Sequence, residues 1–286
     1  MAFTLFSSGV VATARASEGD PAPAVYSFET QVPALLRAAD QALAGQRLVE
    51  AKGLLDRLES EAAWIEDARV KLLHAEWLIA SDRPAEAWSR LEAIDEGSVP
   101  GCRVVAAKAI ALLQLNELDR AEQLFADRQT ACRDFPIFWR SLGRSHFVRG
   151  RFDAAVDALN IAAVLDPADD ALQGDLAVVL IAAGKAADAV PLLTRLLARQ
   201  PDAAPLRLNL DHAHGMLGRR PSRGALDDDM FWSRRLQSAG LGAKRANRLA
   251  LAEALLGLAL IVRPRHDEQL WAQYAAMAGG GERQRH

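Results

Sequence analysis

The sequence predicts an all-α fold, a stack of tandem helix-turn-helix units about 34 residues long. Three observations carry this. Residues 136–169 and 170–203 are two back-to-back copies of one pattern. The same register runs without a slip from residue 68 to residue 203. Half of the 286 residues are hydrophobic, yet aromatics are few and Ala, Leu and Arg abound, which suits helices around a continuous core. Length alone suggests two domains, but a repeat array adds units without adding separate cores.

Unit 136–169 carries Trp139, Leu142, Gly143, Gly150, Phe152, Ala155, Leu159, Ala162 and a closing Pro167. Unit 170–203 keeps the offsets with Leu176, Ala177, Leu180, Gly184, Ala189, Leu193 and Pro201. Each position has a physical reason. Antiparallel helices approach to about 8–10 Å only where small residues meet, as Gly143 and Ala155, or Ala177 and Ala189, can. Gly150 and Gly184 fall where the first helix of each pair must end, and glycine enters the left-handed conformation there without a Cβ penalty. Pro167 and Pro201 stop the second helix. Pro191 is expected in the first turn of its helix, where no hydrogen bond is lost.

This set of residues resembles the tetratricopeptide repeat, whose period is about 34 residues. The resemblance extends over residues 32–278. It implies a right-handed α-solenoid of helix pairs, the first helix of each lining a concave face. The expected units are 32–65, 68–101, 102–135, 136–169, 170–203, a degenerate 204–232, and 233–266. A capping helix over 267–278 and a loose tail over 279–286 follow. The sixth unit breaks the pattern, because Asp211 stands at the small crossing position and Arg219–Gly224 reads as a loop rather than a second helix. Asp227, Asp228 and Asp229 read as a helix cap, their charges favoured by the helix dipole, rather than as a metal site. A weaker likeness is to bacterial repeat proteins that assist pilus and secretion assembly.

Family geometry places the peptide-binding groove on Arg103, Ile110, Arg140, Arg144, Phe147, Val178, Ile181 and His212. The result is an apolar groove with an Arg pair, Arg140 and Arg144, at its centre. It suits an aliphatic peptide with an acidic group, which a planar guanidinium holds in a bidentate manner. The alternative for the pair is solvation, or a bridge to an acid such as Asp175. Some family members clamp a C-terminal carboxylate with Lys, Asn and Arg. Here Asp175 and Pro205 stand at matching positions, so that activity does not carry over.

The expected function is thus a non-catalytic scaffold for an unidentified protein or peptide partner. A regulatory or substrate-recruiting subunit of an enzyme complex is the alternative. Self-assembly into a homo-oligomer through exposed aromatics such as Phe231 and Trp232 is the third. No phosphate loop or nucleophile motif appears, so no catalytic residue and no cofactor are expected. His212 and His214, two residues apart, point away from each other on a helix, and no metal site is expected. Net charge is −3 with the signs interspersed, which does not favour nucleic acid. Leu249–Val262, the longest apolar run, is short of the roughly 20 residues of a membrane span.

Cys102 and Cys132 open and close the third unit, at the same end of an antiparallel pair. They read either as a disulfide or as two free thiols. The choice is tied to compartment, because a disulfide persists only in oxidising surroundings. Residues 1–31 read as a disordered or export-like segment: Ala14-Arg15-Ala16 resembles a cleavage site, but no basic region precedes it. A cytoplasmic location is preferred on these grounds, with an exported one as the alternative.

Overall fold

The computed structural model describes residues 28–60, 64–94 and 101–282, and the export-like reading of the first residues lies outside them. Fourteen helices are seen among the described residues, with no strand. They divide between two compact bodies that meet in sequence at Ala171 and Leu172.

The first body holds four helix pairs: α1 (Phe28–Ala44) with α2 (Leu48–Glu59), α3 (Ala68–Ala80) with α4 (Pro84–Glu92), α5 (Gly101–Gln114) with α6 (Leu118–Arg128), and α7 (Pro136–Val148) with α8 (Phe152–Leu165). The first helices of successive pairs, α1, α3, α5 and α7, pack on one another and form one layer. The second body holds α9 (Asp170–Ala182), α10 (Ala186–Arg199), α11 (Ala204–Met216), α12 (Asp229–Arg245), α13 (Leu249–Val262) and α14 (Glu268–Glu282). The first described helix starts at Phe28, before the expected residue 32, and α14 runs to Glu282, past the expected end of the cap.

One motif ends the first helix of each pair. Gln46, Asp82, Asn116, Gly150, Gly184, Gly218 and Asn247 all have positive φ, between 56° and 81°. From Asp82 to Gly218 they recur every 34 residues. The residue after each one donates its N–H to a carbonyl five residues back: Arg47 to Ala42, Arg83 to Leu78, Glu117 to Leu112, Arg151 to His146, Lys185 to Leu180, Arg219 to His214 and Arg248 to Ala243, all at 2.8–2.9 Å. This is the Schellman closure, which satisfies carbonyls that the end of the helix would leave unpaired. Only three of the seven residues are glycine. Gln46, with φ 56° and an exposed side chain, pays the left-handed cost without the local hydrogen bonding that suits Asn or Asp. Gln46→Gly is therefore expected to stabilise the first body by about 0.5–1 kcal/mol, seen as a higher urea midpoint at unchanged slope.

Seven residues before each of these turns lies the crossing point of the pair. Ala39, Ala75, Ala109 and Ala177 are fully buried there. At Gly143 an added Cβ would lie 2.8 Å from Leu159 Cγ, so the close approach is real and specific to glycine. The one departure is Asp211. The helix after α11 begins only at Asp229, and it meets Asp211 through the Arg235 side chain rather than through a small residue. Tyr274 packs on Gly257 of α13 within the last core cluster. Pro167 and Pro201 lie just beyond α8 and α10. Pro191 is a correction: α10 starts at Ala186, which puts the proline inside the helix rather than in its first turn.

Candidate functional site: the face of the first-helix layer

The first-helix layer of the first body presents a cleft of about 230 Å³ formed by α1, α3 and α5. Its floor is Leu36, Leu72 and Leu73, and Arg37, Arg69 and Asp40 stand around it. Arg103 closes one side, but it is not an open cation. Its Nε donates to Glu76 Oε1 at 2.7 Å and its Nη2 to Glu76 Oε2 at 2.6 Å and to Asp40 Oδ1 at 2.5 Å. The reason is register. Asp40 and Glu76 occupy the same position in their helices as Ile110 and Arg144 do in theirs, so two acids lie in line before Arg103. Removal from water pushes the Glu76 carboxyl above its ordinary value, against the bonds from Arg103. Sequence reasoning placed Arg103 on this face but missed both carboxylates that hold it.

Arg140 and Arg144 lie farther along the layer, on α7, and both are half-buried. Arg140 Nη1 approaches Asp169 Oδ2 at 3.7 Å. Phe147 packs against Phe152 with ring centroids 5.7 Å apart. Ile110 lies against the core of the second and third pairs. In the second body, Val178 and Ile181 are buried, 6% and 8% exposed, so they pack rather than stand open. The eight residues expected to line one groove thus fall on two bodies: five on the first, three on the second.

His212 sits on α11 and is partly buried. Burial, with the positive charge of Arg245 second, pulls its pKa down to about 4. His74, His146 and His214 are lowered too, burial being the largest cause in each. His74 is a core residue, with Nδ1 2.6 Å from Glu59 Oε1 and its ring edge-on to Trp77. A histidine held neutral in the fold but free to protonate when unfolded costs stability as pH falls. The window for His212 runs from its unfolded value, about 6.5, down to about 4. We expect stability to drop across this window by on the order of 3 kcal/mol from His212 alone. Urea melts of His212→Gln should show a clearly shallower decline over the same pH range, and an unchanged decline would contradict this assignment.

Cys102, at the start of α5, and Cys132, in the turn after α6, are disulfide-bonded with Cα atoms 5.5 Å apart. The bond clasps the end of that pair opposite the Asn116 turn. Phe231 and Trp232, expected as open aromatics, are both partly buried. Trp232 packs on the Leu236, Leu255 and Leu256 cluster, 5.5 Å from the Arg235 guanidinium. Of the three consecutive acids, Asp228 caps α12 by accepting from Phe231 N–H at 2.7 Å. Asp227 instead accepts from Gly224 N–H and from Arg235. No helix among the described residues is long and apolar enough to cross a membrane.

A search of curated sequences finds no match. Among solved structures, the chain is similar to MamA of AMB-1, at 19% identity over 64% of this chain and 98% of that one, with a TM-score of 0.44. It is also similar to a tetratricopeptide repeat protein from Parabacteroides merdae, at 10% identity over 87% and 99%, with a TM-score of 0.43. A third similarity is to a chain of the APC/C hetero-tetramer Cut9–Hcn1, at 15% identity over 87% of this chain and 57% of that one, with a TM-score of 0.42. The tetratricopeptide repeat family profile matches residues 146–210. The left-handed turn recurs every 34 residues on both sides of that stretch, so the matched residues form a tetratricopeptide-repeat stretch within a longer run of the same period.

Proposed function

We propose that the protein is a non-catalytic scaffold that holds a peptide or protein partner against its first-helix layer, in the assembly of a larger complex. The observation that carries this is the composition of that face: a leucine-floored cleft with exposed Arg37 and Arg69 at its edge, and Arg140 and Arg144 farther along the same layer. A tetratricopeptide fold fits the role, since its repeats serve mainly as protein-binding surfaces. An apolar floor edged by guanidinium groups suits a segment with an aliphatic side chain and a carboxylate. Asp40 and Glu76 sharpen the choice. They neutralise Arg103 and would repel an acidic partner at that point, and Asp67 holds Arg69 at 2.6 Å, so within the cleft a carboxylate is directed towards Arg37.

The test is affinity capture from the native source with wild type, Arg37→Glu/Arg69→Glu and Arg140→Glu/Arg144→Glu side by side. A partner kept by wild type and lost from either double variant supports this face, and the variant that loses it locates the carboxylate. Retention of the same partners by all three proteins moves the binding surface elsewhere. Co-purification of one enzyme in constant ratio would favour the reading as a regulatory or recruiting subunit.

A further inference from the structure

The first body has a second cleft, of about 310 Å³, on the side of α7 flanked by α6 and α8. Three helices each turn one stripe towards it. On α6 and its C-cap the stripe is Glu122, Ala126 and Gln129. On α7 it is Trp139, Leu142 and His146, and on α8 it is Ala154, Asp157 and Ile161. These spacings of three, four and seven residues are those of one helix face. The walls are low because Ala126, Ala154 and Ala158 stand where larger residues would fill the space. The apolar stripe on α8 continues beyond the cleft through Val164 and Leu165, which with Ile161 are 81%, 38% and 40% exposed.

Two features give this cleft a preferred occupant. Both charged residues in its lining, Glu122 and Asp157, are carboxylates. Glu122 is answered by Arg151 and Arg149, whereas Asp157 has no ion-pair partner among the described residues. His146 is kept neutral, burial being the main cause, and its Nδ1 is shielded from water with no hydrogen-bond partner among the described residues. The cleft therefore offers apolar contact and one uncompensated negative charge.

We propose that this cleft is a second docking site, which takes a partner segment bearing an aliphatic or aromatic anchor with a Lys or Arg one helical turn away. The anchor enters over Leu142, Ala154 and Ala158, and the cation meets Asp157. This surface asks for the opposite charge from the first-helix layer, so one protein could hold an acidic segment on one face and a basic segment on the other.

The probe is a short fluorescein-labelled helical peptide with Leu on one face and Lys flanking it, set beside a twin with Glu at each Lys. Fluorescence anisotropy should show binding of the Lys peptide and not of the Glu peptide. Asp157→Lys and Ala154→Trp, one reversing the charge and one filling the space, should each weaken binding roughly tenfold or more. Glu253→Lys, the same charge change on α13, should leave it unaltered. Circular dichroism verifies that each variant is folded, and the two cleft variants act by independent means. The proposal is overturned if the Lys peptide does not bind, if both cleft variants bind it like wild type, or if Glu253→Lys weakens it as much as Asp157→Lys does.

Discussion

Gly242→Ala should destabilise the second body by about 3 kcal/mol or more, although alanine normally improves a helix. A Cβ at Gly242 would stand 2.0 Å from the carbonyl oxygen of His212, and one at Gly215 would stand 1.9 Å from that of Ala239. The obstacle in both cases is backbone, which cannot swing aside as a side chain does. Relief requires α11 and α12 to separate along a contact that buries Leu210, Ala213, Leu236 and Ala239. Gly174 in α9 is the control, since nothing lies within 4 Å of its Cβ position. Gly174→Ala should stabilise by about 0.5–1 kcal/mol through helix propensity alone. Urea denaturation of the two variants should therefore move the midpoint in opposite directions. A common direction would remove the close crossing as a source of stability.

That crossing also marks where the sequence stops being readable. Gly150 and Gly184 announce their turns by residue type, and Ala39 through Ala177 announce the crossing points, because these places demand a small or left-handed residue. Gln46, Asp82 and Asn116 make the same turn and are found only by counting from the glycines. Gly215 and Gly242 lie off both registers. Their role depends on a direct α11–α12 contact that a degenerate unit does not advertise. The candidate site follows the same logic. Register places Arg103, Arg140 and Arg144 on the first-helix layer, but the capture of Arg103 depends on two acids from other helices, one of them 63 residues away. The signal was present, since Asp40 and Glu76 recur at the position of Arg144, but it had to be read across units rather than within one.

Asp211 is the clearest case, and it supports the other large effect. As a departure from the crossing rule it looks like decay of the repeat. In the fold it is 1% exposed and accepts from Arg235 Nε at 2.7 Å and Nη2 at 3.1 Å. Arg235 also reaches Asp227 Oδ2 at 2.6 Å and the Ser222 carbonyl at 3.1 Å, so one guanidinium fastens the irregular segment between α11 and α12 to both helices. Arg235→Met strands a buried carboxylate and should cost about 3–5 kcal/mol at pH 7. Asp211→Leu/Arg235→Met removes the more buried pair and leaves Asp227 with only the Gly224 N–H, so it should recover a large part of that loss, because a buried pair replaced by apolar side chains of similar bulk is often neutral. The pH dependence has a definite sign. Burial already raises the Asp211 pKa, against the pull of Arg235. An acid whose folded pKa lies above its unfolded value gives stability that is fully present below the unfolded value and lost as pH rises through the folded one. Without Arg235 the folded value rises further. The deficit of Arg235→Met relative to wild type should then shrink on going from pH 7 towards pH 4, as Asp211 takes up a proton and no longer needs a cation. Urea melts of wild type, both single variants and the double variant at the two pH values measure this directly. Losses that simply add in the double variant, or a deficit that does not change with pH, would mean that Asp211 and Arg235 are not the coupled pair that ties this segment down.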